Sequence, residues 1–168
     1  MTNNKSLSVH KQIASEFVLN LRLGLVIQKD PALNKTFFDH ITLEDHQPPE
    51  KLQFFQEMAV VLLENMGEQR TEASLSRMMR QLNIVAVNAF TIQDFLCETD
   101  GVAIGFFTPA SYLNHDCHPT ATQFFDGRYL SIVANRDIAK GEEITISYTN
   151  PLALIEQRRA FLRQNYLF

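Results

Sequence analysis

The stretch Ala121-Thr122-Gln123-Phe124-Phe125-Asp126-Gly127-Arg128-Tyr129-Leu130-Ser131-Ile132-Val133-Ala134 decides how the second half of the chain folds. Two runs rich in β-branched and aromatic residues, Ala121–Phe125 and Leu130–Ala134, flank Asp126-Gly127, a dipeptide suited to the positive φ of a tight hairpin turn. Working outward, Ala89–Ile92, Val102–Phe107 and Ile144–Tyr148 have the same strand-like texture, and Lys140-Gly141-Glu142 marks a further turn. Asn150-Pro151 reads as the start of a last helix, with Asn as cap and Pro at the first position, running to Asn165.

Upstream of Asn88 the period changes. Ile13, Phe17, Val18, Leu21 and Leu25 form a helical stripe over Ser8–Ile27, which Asp30-Pro31 should end because the residue before proline leaves the helical region. A loop around His46-Gln47-Pro48-Pro49 leads to a second helix over Glu50–Asn65, with Leu52, Phe55, Met58, Ala59 and Leu62 on one face and Gly67 as its stop. A third starts near Thr71 and carries Leu75, Met78, Met79, Leu82 and Val85. The expected class is α+β: helices first, then a small β-sheet, then a C-terminal helix, divided into residues 1–86 and 87–168.

With 168 residues, 45% hydrophobic and 20% charged, the chain has globular composition and is long enough for a substantial core. Lys+Arg 15 against Asp+Glu 19 leaves a net charge of −4, without the basic footprint that direct nucleic-acid binding needs, while a basic peptide or protein substrate remains compatible. Two cysteines, Cys97 and Cys117, make no disulfide framework and point to a reducing, intracellular setting. Cys97 is expected to pack as a small buried apolar residue. The N-terminal stretch has no secretory h-region, and no apolar run is long enough to span a membrane, so no membrane partner is expected. No basic localisation run selects between cytoplasm and nucleus.

The densest polar cluster is Asn114-His115-Asp116-Cys117-His118-Pro119, and its residues alone leave three readings open. It can be a polar loop. It can offer His115, Cys117 and His118 to zinc, although three ligands from one tetrapeptide are hard to aim at a tetrahedral centre and no CxxC or HxxxH supplies the rest. It can hold a Cys–His nucleophile, although catalytic Cys and His meet in space rather than in adjacent positions.

Its context narrows the choice. Leu113-Asn114-His115-Asp116-Cys117-His118-Pro119 followed by Gly141-Glu142-Glu143-Ile144-Thr145-Ile146-Ser147-Tyr148 resembles the paired C-terminal signatures of SET-domain protein-lysine methyltransferases. Val87-Asn88-Ala89-Phe90-Thr91-Ile92, the strand Gly101–Phe107 and the tail Gln157–Phe168 are similar to the SET- and MYND-domain subfamily. The resemblance is specific over residues 86–168, and it makes the helical half that subfamily's helical insert.

That resemblance implies S-adenosylmethionine as cofactor and a lysine-bearing protein or peptide as partner. It places Asn88, Asn114 and His115 against the cofactor and Phe168 on its adenine. Tyr148, Tyr166 and Phe90 would line the methyl-transfer channel, and the two motif segments would pass through each other. Cys117 matches a zinc ligand only where a later Cys-rich segment supplies partners, so zinc is not expected in this chain alone. The family's Gly-containing cofactor loop, MYND module and Cys-rich post-SET segment find no match in these residues, which reads as a C-terminal catalytic half. Asp116 stands in place of the commoner Ser, and Thr120 where Asn often follows Pro.

The chemistry suits these residue types. In-line displacement on a sulfonium needs nucleophile, methyl and sulfur in register. Lysine attacks only as the neutral amine, which an apolar channel favours by desolvating the ammonium, and aromatic walls can face the cation beforehand. A non-catalytic, SET-derived interaction module is the competing expectation. In either case Glu142 and Glu143 read as a solvated turn.

Overall fold

The computed structural model describes the backbone of residues 2–92 and 101–168, and the side chains of residues 13–92 and 101–168. Cys97 lies outside the described residues. Among these, helices α1 (Thr2–Ile27), α2 (Pro31–Phe38), α3 (Pro49–Met66) and α4 (Glu72–Asn88) come first. Strands β1 (Phe90–Ile92), β2 (Ala103–Gly105), β3 (Asn114–His115), β4 (Ala121–Asp126), β5 (Tyr129–Ala134) and β6 (Thr145–Ile146) follow, and α5 (Ile155–Tyr166) ends the order. The class is α+β. The strands pair two by two, β1 with β2, β3 with β6 and β4 with β5, rather than in one continuous sheet.

The chain forms two compact units. One comprises Met1–Thr91 with Ala103–Phe106, the other Ile92–Val102 with Phe107–Phe168.

In the first unit, local chemistry sets the helix ends. Asp30 accepts hydrogen bonds from the Ala32 and Leu33 N–H groups and Pro31 occupies the first turn, so Asp30-Pro31, expected only to stop α1, also starts α2. Thr71 and Ser74 form a reciprocal capping box on α4. Gly67 closes α3 in the left-handed region at φ 70°, where a Cβ would be unfavourable. The apolar spacing of α3 and α4 then buries Phe55, Met58, Ala59, Leu62 and Leu63 against Met78 and Leu82. A second cluster joins Ile27, Phe37, Ile84 and Val85, with Phe106 packed on it.

Helix α1 departs from its expected stripe. Ile13, Val18 and Leu25 are exposed, while Asn20 and Ile27 are each only 1% accessible. The packed face runs through Phe17, Asn20, Leu21, Gly24 and Ile27 because α3 and α4 approach closely there: a Cβ on Gly24 would come within 2.9 Å of Met66 Sδ. Asn20 is tolerated inside because its side-chain Nδ2 donates to Glu16 O at 2.9 Å and its Oδ1 accepts from Gln81 Nε2 at 3.3 Å.

In the second unit, the β4–β5 register pairs Asp126 with Tyr129, leaving Gly127-Arg128 as a two-residue turn. Gly127 takes a positive φ of 55° and Arg128 does not, the pattern of a type II′ hairpin. Asn150-Pro151 does not open the last helix. The Asn150 side chain instead accepts from the Leu152 N–H at 2.9 Å, and its carbonyl from Ala153 at 3.1 Å, making a turn that delays α5 to Ile155.

The core of the first unit yields a direct expectation. Leu62→Ala, at a site with no accessible surface, should lower unfolding free energy in urea by about 2–5 kcal/mol, whereas Val61→Ala on the exposed face of α3 should change it by under about 1 kcal/mol.

Candidate functional site

The two polar motifs of the second unit lie side by side. β3 and β6 run parallel, with Asn114 opposite Thr145 and His115 opposite Ile146, and the Asp116 N–H donates to Ile146 O at 3.0 Å. Ladders of two residues supply few backbone bonds, and buried side chains complete the joint. The Thr120 N–H donates to Thr145 Oγ1 at 3.1 Å, and the Thr145 N–H returns to Thr120 Oγ1 at 2.8 Å. Both threonines are buried, so each hydroxyl satisfies a backbone donor that has no access to water. Gln123 Nε2 reaches Ser147 O at 3.0 Å and ties β4 to the end of the second motif.

On this frame sit His115 and Tyr148. The backbone N–H of Tyr148 donates to His115 Nδ1 at 3.0 Å, and the Tyr148 hydroxyl donates to Leu113 O at 2.6 Å. A backbone N–H can only donate, so Nδ1 is the acceptor and the proton of the neutral ring sits on Nε2, 3.4 Å from Cys117 Sγ. Burial holds His115 below the usual histidine range; Asp116 opposes that shift and Arg158 reinforces it. Burial also raises Tyr148 above the usual phenol value. Tyr166 is pushed to about 12, first by burial and then by Tyr148.

Four rings gather here. Tyr148 and Tyr166 have centroids 4.7 Å apart, His115 and Tyr148 5.4 Å, and His115 and Phe168 6.0 Å. Leu167 ends α5 in the left-handed conformation at φ 68°, unusual for a residue with a Cβ, and the chain turns there into Phe168. Asn114 Nδ2 donates to Glu143 Oε1 at 2.6 Å, and Glu142 bonds Arg136 and the Ala139 N–H. Glu142 and Glu143 thus follow an exposed turn, as expected, and each also takes hydrogen bonds there.

Tyr148, Tyr166, Asn114, His115 and Phe168 thus fall in one unit, and all five are joined by hydrogen bonds or ring contacts to their frame or to each other. Asn88 and Phe90 belong to the other unit, where the Asn88 amide donates to Ile84 O at 2.8 Å and Ile41 O at 2.9 Å and Phe90 lies on β1. Among the described residues no three His, Cys, Asp or Glu side chains converge as metal ligands. Thr145, Gln123 and Arg158 were given no role from sequence, and Thr120 was noted only as standing where Asn often follows Pro. No local pattern flags the threonine pair, since Thr120 lies just before β4 and not in a strand.

The donor set fits S-adenosylmethionine: aromatic faces for a sulfonium and a purine, a neutral imidazole, and an amide with a fixed orientation. The SET-domain family model matches residues 12–149, so the match takes in the helical half, and the chain belongs to the SET-domain family. It is 42% identical over 84 residues to histone-lysine N-methyltransferase SMYD3 of Homo sapiens, covering 50% of this chain and 19% of that protein. It is 43% identical over 63 residues to the potential protein lysine methyltransferase SET6 of Saccharomyces cerevisiae, covering 37% and 17%. It is 33% identical over 98 residues to the SET domain-containing protein SmydA-8, isoform A, of Drosophila melanogaster, covering 56% and 21%. The matched stretch thus spans about a fifth of the length of these curated relatives. The family is one that uses S-adenosylmethionine. No described helix is long and apolar enough to cross a membrane.

Because the folded chain disfavours protonated His115, the unfolded chain binds more protons as pH falls through 6.5, the ordinary value. Stability from this residue is complete above 6.5 and is lost as pH drops toward the lower folded-state value. His115 should titrate below 6.5 by NMR, and His115→Gln should remove part of the acid-side loss of stability.

Proposed function

We propose that this chain carries the cofactor and channel half of an S-adenosylmethionine-dependent protein-lysine N-methyltransferase, with residues 1–86 as a helical insert and residues 87–168 as the C-terminal SET core. The observation that carries the reading is the Tyr148 junction, where one residue bonds His115 through its backbone and Leu113 through its hydroxyl while its ring meets Tyr166.

When bound, S-adenosylmethionine supplies an electrophilic methyl group on a sulfonium. Asn114 and His115 hold the cofactor and Phe168 offers a ring face to its adenine, while Tyr148 and Tyr166 line the lysine channel. By the family resemblance, Asn88 is a further cofactor residue and Phe90 a further channel residue. The Tyr148 hydroxyl has given its hydrogen to Leu113 O, so its remaining lone pair faces outward as an acceptor that can orient a lysine N–H. Both phenols are neutral at physiological pH, as ordinary phenols are, and burial moves them further from ionisation. The desolvated channel favours the neutral lysine amine, and no carboxylate base is required. A lysine-bearing protein is the substrate class, supported by relatives named as histone-lysine methyltransferases and by an acidic chain that suits basic tails. An intracellular site of action, in cytoplasm or nucleus, follows from that substrate class and from the unpaired cysteine Cys117.

Calorimetric titration of S-adenosylmethionine into the chain tests the reading. Micromolar binding should be lost in Asn114→Ala, and Tyr148→Phe should cut methyl transfer to a lysine peptide by roughly 100-fold. A folded chain that binds no S-adenosylmethionine would mean a non-catalytic interaction module on the same scaffold.

A further inference from the structure

We infer that Glu143 is a positioning residue that aims the Asn114 side-chain oxygen at the amino group of the cofactor's methionine end. The inference rests on the cofactor reading above and goes beyond it in naming how the amino acid moiety is selected.

The geometry begins in the backbone. Asn114 is registered opposite Thr145, and Glu143 lies two residues before Thr145, where its side chain is exposed beside the exposed Asn114. Thr120 Oγ1 donates to the Glu143 carbonyl at 3.4 Å, tying that backbone to the threonine joint. From this anchor the Glu143 carboxylate accepts a hydrogen bond from Asn114 Nδ2 at 2.6 Å. A carboxylate can only accept when ionised, so the NH2 edge of the amide must face Glu143 and the Oδ1 edge must face away. Without Glu143, either edge of the amide could be presented.

Charge sharpens the selection. Glu142 is neutralised by Arg136, whereas among the described residues Glu143 has no ion pair. A ligand approaching Asn114 therefore meets an amide oxygen with an uncompensated carboxylate behind it. The methionine end of the cofactor carries one ammonium and one carboxylate. Only the ammonium can donate to Oδ1, and only the ammonium is attracted by Glu143, so the arrangement selects an α-amino group and disfavours the reverse placement. An oxygen-presenting pair of this kind has no use for a nucleoside that lacks the amino acid.

The test compares two nucleosides on the whole chain by calorimetry. S-adenosylmethionine has the ammonium; 5′-methylthioadenosine keeps the adenosine and a neutral methylthio sulfur but lacks the ammonium, the carboxylate and the sulfonium charge. Glu143→Ala should weaken S-adenosylmethionine about tenfold and leave 5′-methylthioadenosine unchanged. Glu143→Gln, which keeps an acceptor for Asn114 but removes the charge, should recover part of the loss. Parallel weakening of both ligands would make Glu143 a structural brace of β3 and β6 and overturn the inference, as would unchanged S-adenosylmethionine affinity in Glu143→Ala. Wild type that binds neither nucleoside would overturn the cofactor reading itself, and the role of Glu143 with it. A ligand-free readout separates the two failures: the Asn114 side-chain NH2 resonances should shift in Glu143→Ala relative to wild type. No shift would overturn the positioning contact alone.

Discussion

The hydrogen bond from the Tyr148 backbone to His115 Nδ1 is the constraint on which the site depends. The two segments it joins are separated by a hairpin and a turn, and β3 and β6 contribute only two residues each to their ladder. A joint so short needs side chains to complete it. Thr120 and Thr145 do so with reciprocal bonds inside the core, and His115 does so at the rim. Using a titratable ring as the rim acceptor has a consequence: once Nδ1 is protonated it opposes the Tyr148 N–H as a second donor. Burial and Arg158 keep the ring neutral against the pull of Asp116, so the electrostatics and the hydrogen-bond geometry require the same protonation state.

The phenols follow the same logic. Tyr148 and Tyr166 face each other at 4.7 Å, and each is made harder to ionise by burial, Tyr166 further by its neighbour. Two phenolates at that distance would repel in a partly dry site, so the pair persists as neutral groups. On the proposed reading this matters because the reaction needs oxygen lone pairs and ring faces rather than a proton acceptor. A phenolate would hold an ammonium as an ion pair and retard its conversion to the nucleophilic amine. A neutral phenol orients the nitrogen without stabilising its charged form.

Much of this was legible from sequence, and the exceptions share a physical cause. Helices α3 and α4 were readable because apolar spacing, Gly67 and the Thr71 cap all agree. The β4–β5 hairpin was readable from its turn. The face of α1 was not, since close approach selects Gly24 and a satisfied Asn20 over the larger Val18 and Leu25. Helix α2 was missed because Asp30-Pro31 serves as a stop and a start at once. At Asn150-Pro151 the same residue types that cap helices made a turn, because an Asn side chain can satisfy an N–H two residues on without a helix following. β3 has no apolar alternation to betray it: Asn114 and His115 are strand residues by virtue of their partner, not their propensity. The motif resemblance pointed to Asn114, His115 and Tyr148, which the fold brings into one unit, and the bonds of Glu143 and the threonines lay beyond any local signal.

Helix α5 shows how one short helix contributes to such a site. Arg158, Leu162 and Tyr166 are spaced i, i+4, i+8, so they share one face of the helix. Leu162 in the middle of that face is 5% accessible, which anchors the helix through an apolar contact. The same helix carries a charge one turn before the leucine and an aromatic ring one turn after it: Arg158 acts electrostatically on His115, and the Tyr166 ring meets Tyr148 at a tilt. Leu167 then leaves the helix in a left-handed turn, beyond which the Phe168 ring lies 6.0 Å from His115. Three effects on the His115–Tyr148 junction, one electrostatic and two aromatic, thus come from one short segment of chain whose face is buried at Leu162.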